Sequence, residues 1–257
     1  MVIDLRHLAH PDPIHTEVCI IGGGIAGIVM ALELGRKGIP VCLLESGGFA
    51  EHRPTNDLNN GENAGLPYEF AKGYRSRFFG GSSNCWGGHC RPLDQEDFEA
   101  RDWVPHSGWP ISKSDLAPYY EDAHQWLRLG PRNFDAEFWE KQINRPDARL
   151  FHLAADGIEE IISQFSPPVR MGSLHREELV KSPLISVYLW ANVMELVCAP
   201  GEDRVQEVVT KTLCGRTHKF RAHTFVLAAG GIENTRLLLL SRRDQGGGLG
   251  NHHGLVG

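Results

Sequence analysis

Hydrophobic positions cluster in short runs separated by polar and glycine-containing stretches, and the densest cluster is "EVCIIGGGIAGIVMALELGRKGIPVCLLESG", Glu17 to Gly47. It predicts a strand over Val18–Ile21, a glycine turn, and an apolar-rich helix to about Lys37. Gly38 stops the helix, and a second strand follows from Pro40 to Leu44. Farther on, "ANVMELV", Val205–Val209 and Lys219–Ala228 predict strands. The last ends in "LAAGG" and runs into "IENTRLLLLS", whose leucines are apolar enough for a buried helix. In between, Ser112 or Ser114 caps a helix with Asp115 in its first turn and Gly130 closing it. Its aromatics Tyr119, Tyr120 and Trp126 are read as packing residues. Another helix is expected around Ala154–Gln164, and no internal repeat is visible.

Gly22, Gly24 and Gly27 form G-x-G-x-x-G between the first strand and its helix. The first glycine permits the tight turn, the second lets a pyrophosphate approach the backbone, and the third lets helix and strand pack closely. The helix N-terminus adds about half a positive charge and free N–H groups. Glu45, ending the second strand, can accept from both ribose hydroxyls of an adenosine. These features together point to a dinucleotide. From Ser46 to about Asp97 the periodicity is weak, whereas a nicotinamide-binding domain continues directly into another helix and strand. A connection that long usually serves a ligand, and FAD, stretched across the sheet, needs extra loops; FAD is favoured over NAD.

Composition changes little. The chain has 257 residues, room for one large domain or two small ones; it is 41% hydrophobic and 23% charged, with a net charge of −6 and no basic stripe for nucleic acid. No run approaches the ~18 apolar residues of a membrane span. The first residues lack a secretory core, so a cytoplasmic protein with reduced cysteines is expected. "FFGGSSNCWGGHC", Phe78 to Cys90, allows a metal site, a nucleophile loop or a backbone cradle by residue type alone. There is no C-x-x-C and no second ligand cluster at zinc-like spacing, which argues against metal.

Four stretches, "CIIGGGIAGIVMALELGRKG", "RSRFFGGSSNCWGG", "SGWPISKSDLAPYYEDA" and "FVLAAGGIENTRLLLLS", resemble the glucose–methanol–choline (GMC) oxidoreductases in order and approximate spacing. The most similar branch is the bacterial sugar, polyol and gluconate dehydrogenases with the pyranose oxidase-like flavoproteins. The resemblance implies a three-layer α/β, Rossmann-like FAD-binding fold with an inserted loop and substrate-side segments. Residues 1–94 would form the βαβ unit and flavin-cradle loop, 95–185 a helical insertion, and 186–257 the return to the FAD-binding domain.

By the same resemblance the last strand lies beside the first, Ala229, Gly230 and Gly231 face the cofactor, and Val193 meets the adenine through its backbone. Ser46 joins Glu45 at the cofactor. Gly80 and Gly81 let backbone approach the pyrophosphate, Ser82 and Ser83 donate to it, and Asn84, Cys85, Trp86, Gly87 and Gly88 lie along the flavin, with Trp86 as a wall. Arg75 and Arg77 either balance phosphate charge or are exposed. Cys85 stands where some relatives carry a histidine linked covalently to flavin. Noncovalent FAD is therefore expected, with a cysteinyl link as the alternative.

The family oxidises a sugar, polyol or other alcohol by hydride transfer to flavin N5, with a histidine paired to a second His or Asn in its C-terminal half. That pair is absent from these residues, so the catalytic residues are unassigned and the chain is expected to be an N-terminal fragment. His89 is the one histidine worth testing. Two other readings stay open: an FAD-binding module or partner subunit without activity, and a NAD-linked reductase. The latter lacks a second glycine fingerprint, since "GGGLG" at 246–250 follows no strand. The electron acceptor is left open among oxygen, quinone and cytochrome.

Overall fold

The computed structural model describes residues 1–9, 13–66, 73–143, 158, 161–167, 169–199, 201–202, 204–241 and 247–257. In chain order the elements are β1 (Val2–Asp4), β2 (Ile14–Ile21), α1 (Ile25–Arg36), β3 (Val41–Leu44) and α2 (Arg53–Asn56). Then come β4 (His89–Cys90), α3 (Lys113–Leu127), α4 (Ala136–Gln142), β5 (Gln164–Phe165) and α5 (Met171–Lys181). The last are β6 (Ile185–Leu189), β7 (Asn192–Cys198), β8 (Val205–Lys211), β9 (Thr217–Leu227) and α6 (Gly231–Leu240). These elements divide into two units, one of residues 1–85 with 170–257 and one of residues 86–169.

The first unit is built on a seven-stranded sheet in the order β1-β6-β3-β2-β9-β8-β7. The strands from β1 to β9 in that order pair in parallel, and β8 and β7 extend the sheet antiparallel. Val18–Ile21 and Val41–Leu44 are buried throughout, because a central parallel strand is covered on both faces and has no polar side to present. Helices α1 and α5 cover one face through Ile28, Ala31, Leu32, Met171 and Leu179. On the other, Cys19, Ile21, Cys42, Leu44, Tyr188 and Phe220 form a core with Leu196 and Val208 of the β7–β8 hairpin and Leu237 of α6. This is the expected three-layer α/β, Rossmann-like arrangement. β9 serves two partners: its start pairs with β8, and its end runs beside β2 from Ile14↔Phe220 to Ile21↔Leu227. All six cysteines are free thiols, and burial pushes Cys19 and Cys42 above the usual thiol range.

In the second unit α3 is capped at Ser112, whose hydroxyl accepts from Asp115 N–H while its own N–H donates to the Asp115 carboxylate at 2.8 Å. The helix ends at Arg128 (φ 52°), ahead of the expected Gly130, and Tyr119 is exposed, so it does not pack as expected. The helix expected around Ala154–Gln164 falls largely outside the described residues, and Gln164 itself begins a short strand, β5, paired with β4. Among the described residues no helix is long and apolar enough to cross a membrane.

Two elements of the first unit differ from their sequence signal. Only Leu237 is buried in α6, and Leu239 and Leu240 are exposed, so the run of leucines is one helix face in the core and one outside it. Helix α5 has no sequence signal in its favour: Gly172 lies in its first turn and no side chain caps it. A Cβ on Gly172 would lie 2.3 Å from the Phe79 carbonyl oxygen, so the glycine lets the helix approach the Phe79–Gly80 backbone.

Candidate functional site

Strands β2, β3 and β9 end side by side at Ile21, Leu44 and Leu227, and a cavity of about 580 Å³ opens beyond them within the first unit. The carboxyl edge of a parallel sheet is where such folds place their ligands. Helices α1 and α6 both begin at this cavity. First-turn N–H groups of a helix have no intrahelical partners, and neither helix has a side-chain cap, so their positive ends are presented to the cavity wall.

The glycines of the first turn divide by what surrounds them. Gly22 has φ 110°, its N–H donates to Leu44 O at 2.8 Å, and a Cβ there would lie 2.5 Å from the Ala228 carbonyl oxygen. A Cβ on Gly27 would lie 1.9 Å from Gly22 O, inside the strand–helix contact. Gly24 is different. Its Cβ would meet nothing nearer than Gly81 Cα at 3.9 Å and Ala228 O at 4.0 Å, yet it lines the cavity. At Gly231, also on the wall, a Cβ would meet nothing within 4 Å. These two glycines keep the wall clear, and the protein's own packing does not require it.

Glu45 is buried at the end of β3 and lines the cavity. One carboxylate oxygen accepts from Gly23 N–H at 3.0 Å, and the other accepts from Gly47 N–H at 2.9 Å and from the Ser46 hydroxyl. Burial pushes the carboxyl above its usual range, and these donors with Arg77 only partly offset it. Glu45 therefore also ties the glycine turn to the end of β3, a role the sequence did not suggest. Asn234 does the same for the "LAAGG" turn, accepting from Ala229 N–H at 3.0 Å and donating to Leu227 O. Ala229, Gly230 and Gly231 line the cavity, as do Ser46 and Val193, the last near the start of β7.

The second glycine loop closes one side. Gly80 N–H donates to Gly23 O at 2.7 Å, and the Cα of Gly24 lies only 2.8 Å from where a Cβ on Gly81 would sit. Gly81, Ser82 and Ser83 line the cavity. Ser83 is fully buried, however, and its hydroxyl donates to Gly80 O at 2.6 Å and accepts from Met171 N–H at 3.1 Å. Its expected donation to a ligand is corrected to an internal one. Gly80, Asn84 and Cys85 are not on the cavity wall, and Asn84 donates to Phe79 O at 3.2 Å. Partial burial holds the Cys85 thiol above its ordinary range, against the pull of Arg170. Trp86, Gly87 and Gly88 belong to the second unit, where the Trp86 indole donates to Val169 O at 3.1 Å and Gly88 packs on Ser166.

A charged wall went unforeseen. Arg75 and Arg77 both reach Glu233 of α6, at 3.2 and 2.5 Å, and Arg236 one turn later bonds the same carboxylate at 2.8 Å. Arg77 also donates to Asn59 at 2.7 Å. Sequence reading left Arg75 and Arg77 between phosphate balance and exposure; their side chains are 23% and 12% exposed, so neither is a free surface charge. Burial pushes the Glu233 carboxyl up, but Arg77 and Arg236 pull it further down, and the net shift is below its ordinary value of 4.5. A carboxylate with a depressed folded-state value stabilises the fold above its unfolded value and loses that contribution as pH falls through the folded one. The gap in thermal midpoint between the native protein and Glu233→Gln should therefore be full at neutral pH and close below pH 4.5. A gap independent of pH in that range would contradict the ion pairing.

Residues 15–55, spanning β2, α1, β3 and α2, match a family model described as an FAD binding domain. Along nearly its whole length the chain is 27% identical to the paromamine 6'-oxidase of Streptomyces fradiae, covering 99% of this chain and 58% of that protein. It is 24% identical to the 2-methyl-1,2-propanediol dehydrogenase of Mycolicibacterium austroafricanum, over 94% of this chain and 54% of that one. Its fold is shared with a formate oxidase (TM-score 0.54, 17% identity, 90% of this chain and 48% of that). A pyridoxine 4-oxidase from Mesorbium loti is also similar (TM-score 0.52, 19% identity, 87% and 51%). In fold and in motif order the chain resembles the GMC oxidoreductases. An FAD-binding Rossmann-like fold accounts for the order of its motifs, from the β2–α1 turn to the "LAAGG" turn. The chain spans about half the length of these GMC-like relatives.

Proposed function

We propose that the cavity of the first unit holds FAD noncovalently, and that the whole protein is an oxidoreductase acting on a sugar, polyol or other small-molecule alcohol. The observation that carries the reading is the clear wall at Gly24 and Gly231, beside two uncapped helix N-termini. Packing does not explain those glycines, and a ligand that must lie against backbone does. In this reading the first turn of α1, with Gly22, Gly24 and Gly81, receives the diphosphate, and Gly27 holds the helix against the turn. Glu45 and Ser46 meet the ribose, Val193 meets the adenine through its backbone, and Ala229, Gly230 and Gly231 back the cofactor. Bound FAD would supply the acceptor for a hydride from an alcohol carbon.

The chain's own part is to fix orientation. Glu45 holds one oxygen against the glycine turn at Gly23 and the other against Gly47, and Asn234 locks the turn after β9, so both walls are set before a ligand arrives. Sugar and alcohol oxidation is proposed from the activities named for the paromamine oxidase and the propanediol dehydrogenase. No catalytic base is assigned, and no histidine lies among the described residues lining the cavity.

The purified protein should be yellow, and acid precipitation should leave the colour in the supernatant. Protein that is colourless and does not quench added FAD fluorescence would refute the cofactor assignment. Colour retained in the washed pellet would refute noncovalent binding and leave the cofactor assignment standing.

A further inference from the structure

Three guanidinium groups and one carboxylate share the wall beside α6, an excess of positive charge facing the cavity. The arginines are not equivalent. Arg77 is held at two of its nitrogens, by Glu233 and by Asn59, and Arg75 bridges Glu233 and the Asn59 carbonyl. Among the described residues Arg236 is held at one point. Its Nε donates to Glu233 Oε2 at 2.8 Å, and its two terminal nitrogens make no hydrogen bond among the described residues, although Arg236 is one of the residues lining the cavity.

An exposed ion pair three residues apart on a helix contributes little to stability. Here the carboxylate is only 14% exposed and already carries two arginines from a distant segment, so helix stability does not account for a third. A guanidinium anchored by Nε, with its terminal nitrogens uncommitted on a residue that lines a cavity, can take an oxyanion, and the uncapped start of α6 on the same wall adds field of the same sign.

We infer that Arg236, positioned by Glu233, bonds the diphosphate of the bound dinucleotide and so makes this cavity select an anionic flavin over neutral riboflavin. The inference rests on the FAD reading above. It adds a residue outside both glycine loops to the recognition of charge.

The test is titration of the full chain, freed of flavin, with FAD, ADP and riboflavin, for the native protein, Arg236→Gln and Arg236→Lys. Loss of one charge-assisted bond should weaken FAD and ADP roughly tenfold in Arg236→Gln while riboflavin stays within about twofold. Lys should restore part of the loss, because it returns the charge without the fork. FAD affinity unchanged in Arg236→Gln would overturn the inference. So would an equal weakening of FAD and riboflavin, the signature of a residue that only holds the wall together. A native protein that binds no FAD defeats the cofactor reading instead, and is told apart because the comparison between variants then never arises.

Discussion

Gly22→Ala is expected to cost the fold about 4 kcal/mol, combining the strain of a side chain at positive φ with an overpacked contact. The backbone at Gly22 has φ 110°, where L side chains are strained, and the added Cβ would lie 2.5 Å from Ala228 O and 2.8 Å from Ala229 Cα. Those atoms are main chain. They belong to the turn that Asn234 clamps and that Ala228 N–H ties to Ile21 O at 2.8 Å, so they cannot swing aside as a flexible side chain would. For a domain of this size each kcal/mol moves the thermal midpoint by about 2–4 °C, which places the expected drop at roughly 8–16 °C. Circular dichroism melting of the native and altered proteins measures it directly. A midpoint within about 2 °C of the native one would mean that β2 and β9 do not end in contact as described.

How much of this was legible beforehand depended on how local each signal was. The β2–α1–β3 unit could be read from the end of β2 onward, because the glycines, the apolar runs and Glu45 lie within one short segment whose spacing carries the message; β2 itself begins at Ile14, four residues before the expected Val18. β9 was legible in part by its apolar run, and its place beside β2 came only from the family resemblance. The arginine wall could not be read. Arg75 and Glu233 are 158 positions apart, and no periodicity links a loop to the first turn of a helix formed after nine more described strands and helices. Helix α5 was hidden for the opposite reason: its Gly172, an unfavourable helix residue, is required by the Phe79 carbonyl and says nothing in isolation. Ser83 shows the converse error. In sequence it is one of two equivalent hydroxyls, and only its burial beneath Met171 reveals that its donor is already committed.

Gly24→Ala is expected to do the reverse of Gly22→Ala, leaving the fold intact and removing the ligand. Gly24 precedes α1 with φ −87° and ψ −166°, extended backbone that alanine adopts freely. Its Cβ would touch only Gly81 Cα and Ala228 O at ordinary contact distance, 3.9 and 4.0 Å. Alanine is a poorer N-cap than glycine, so a stability loss of up to about 1 kcal/mol is expected, or roughly 2–4 °C in the midpoint. The effect on binding is far larger. A methyl group on this wall would stand where a diphosphate must approach the N–H groups of α1, and losing one or two charge-assisted hydrogen bonds corresponds to about a hundredfold in affinity. Measured together, the two glycine variants separate the tasks that the fingerprint combines, since one should melt early and the other should melt normally yet come off the column colourless. If Gly24→Ala bound FAD as the native protein does, the clear wall at that glycine would not serve a ligand, and the support it gives to FAD binding in this cavity would fall.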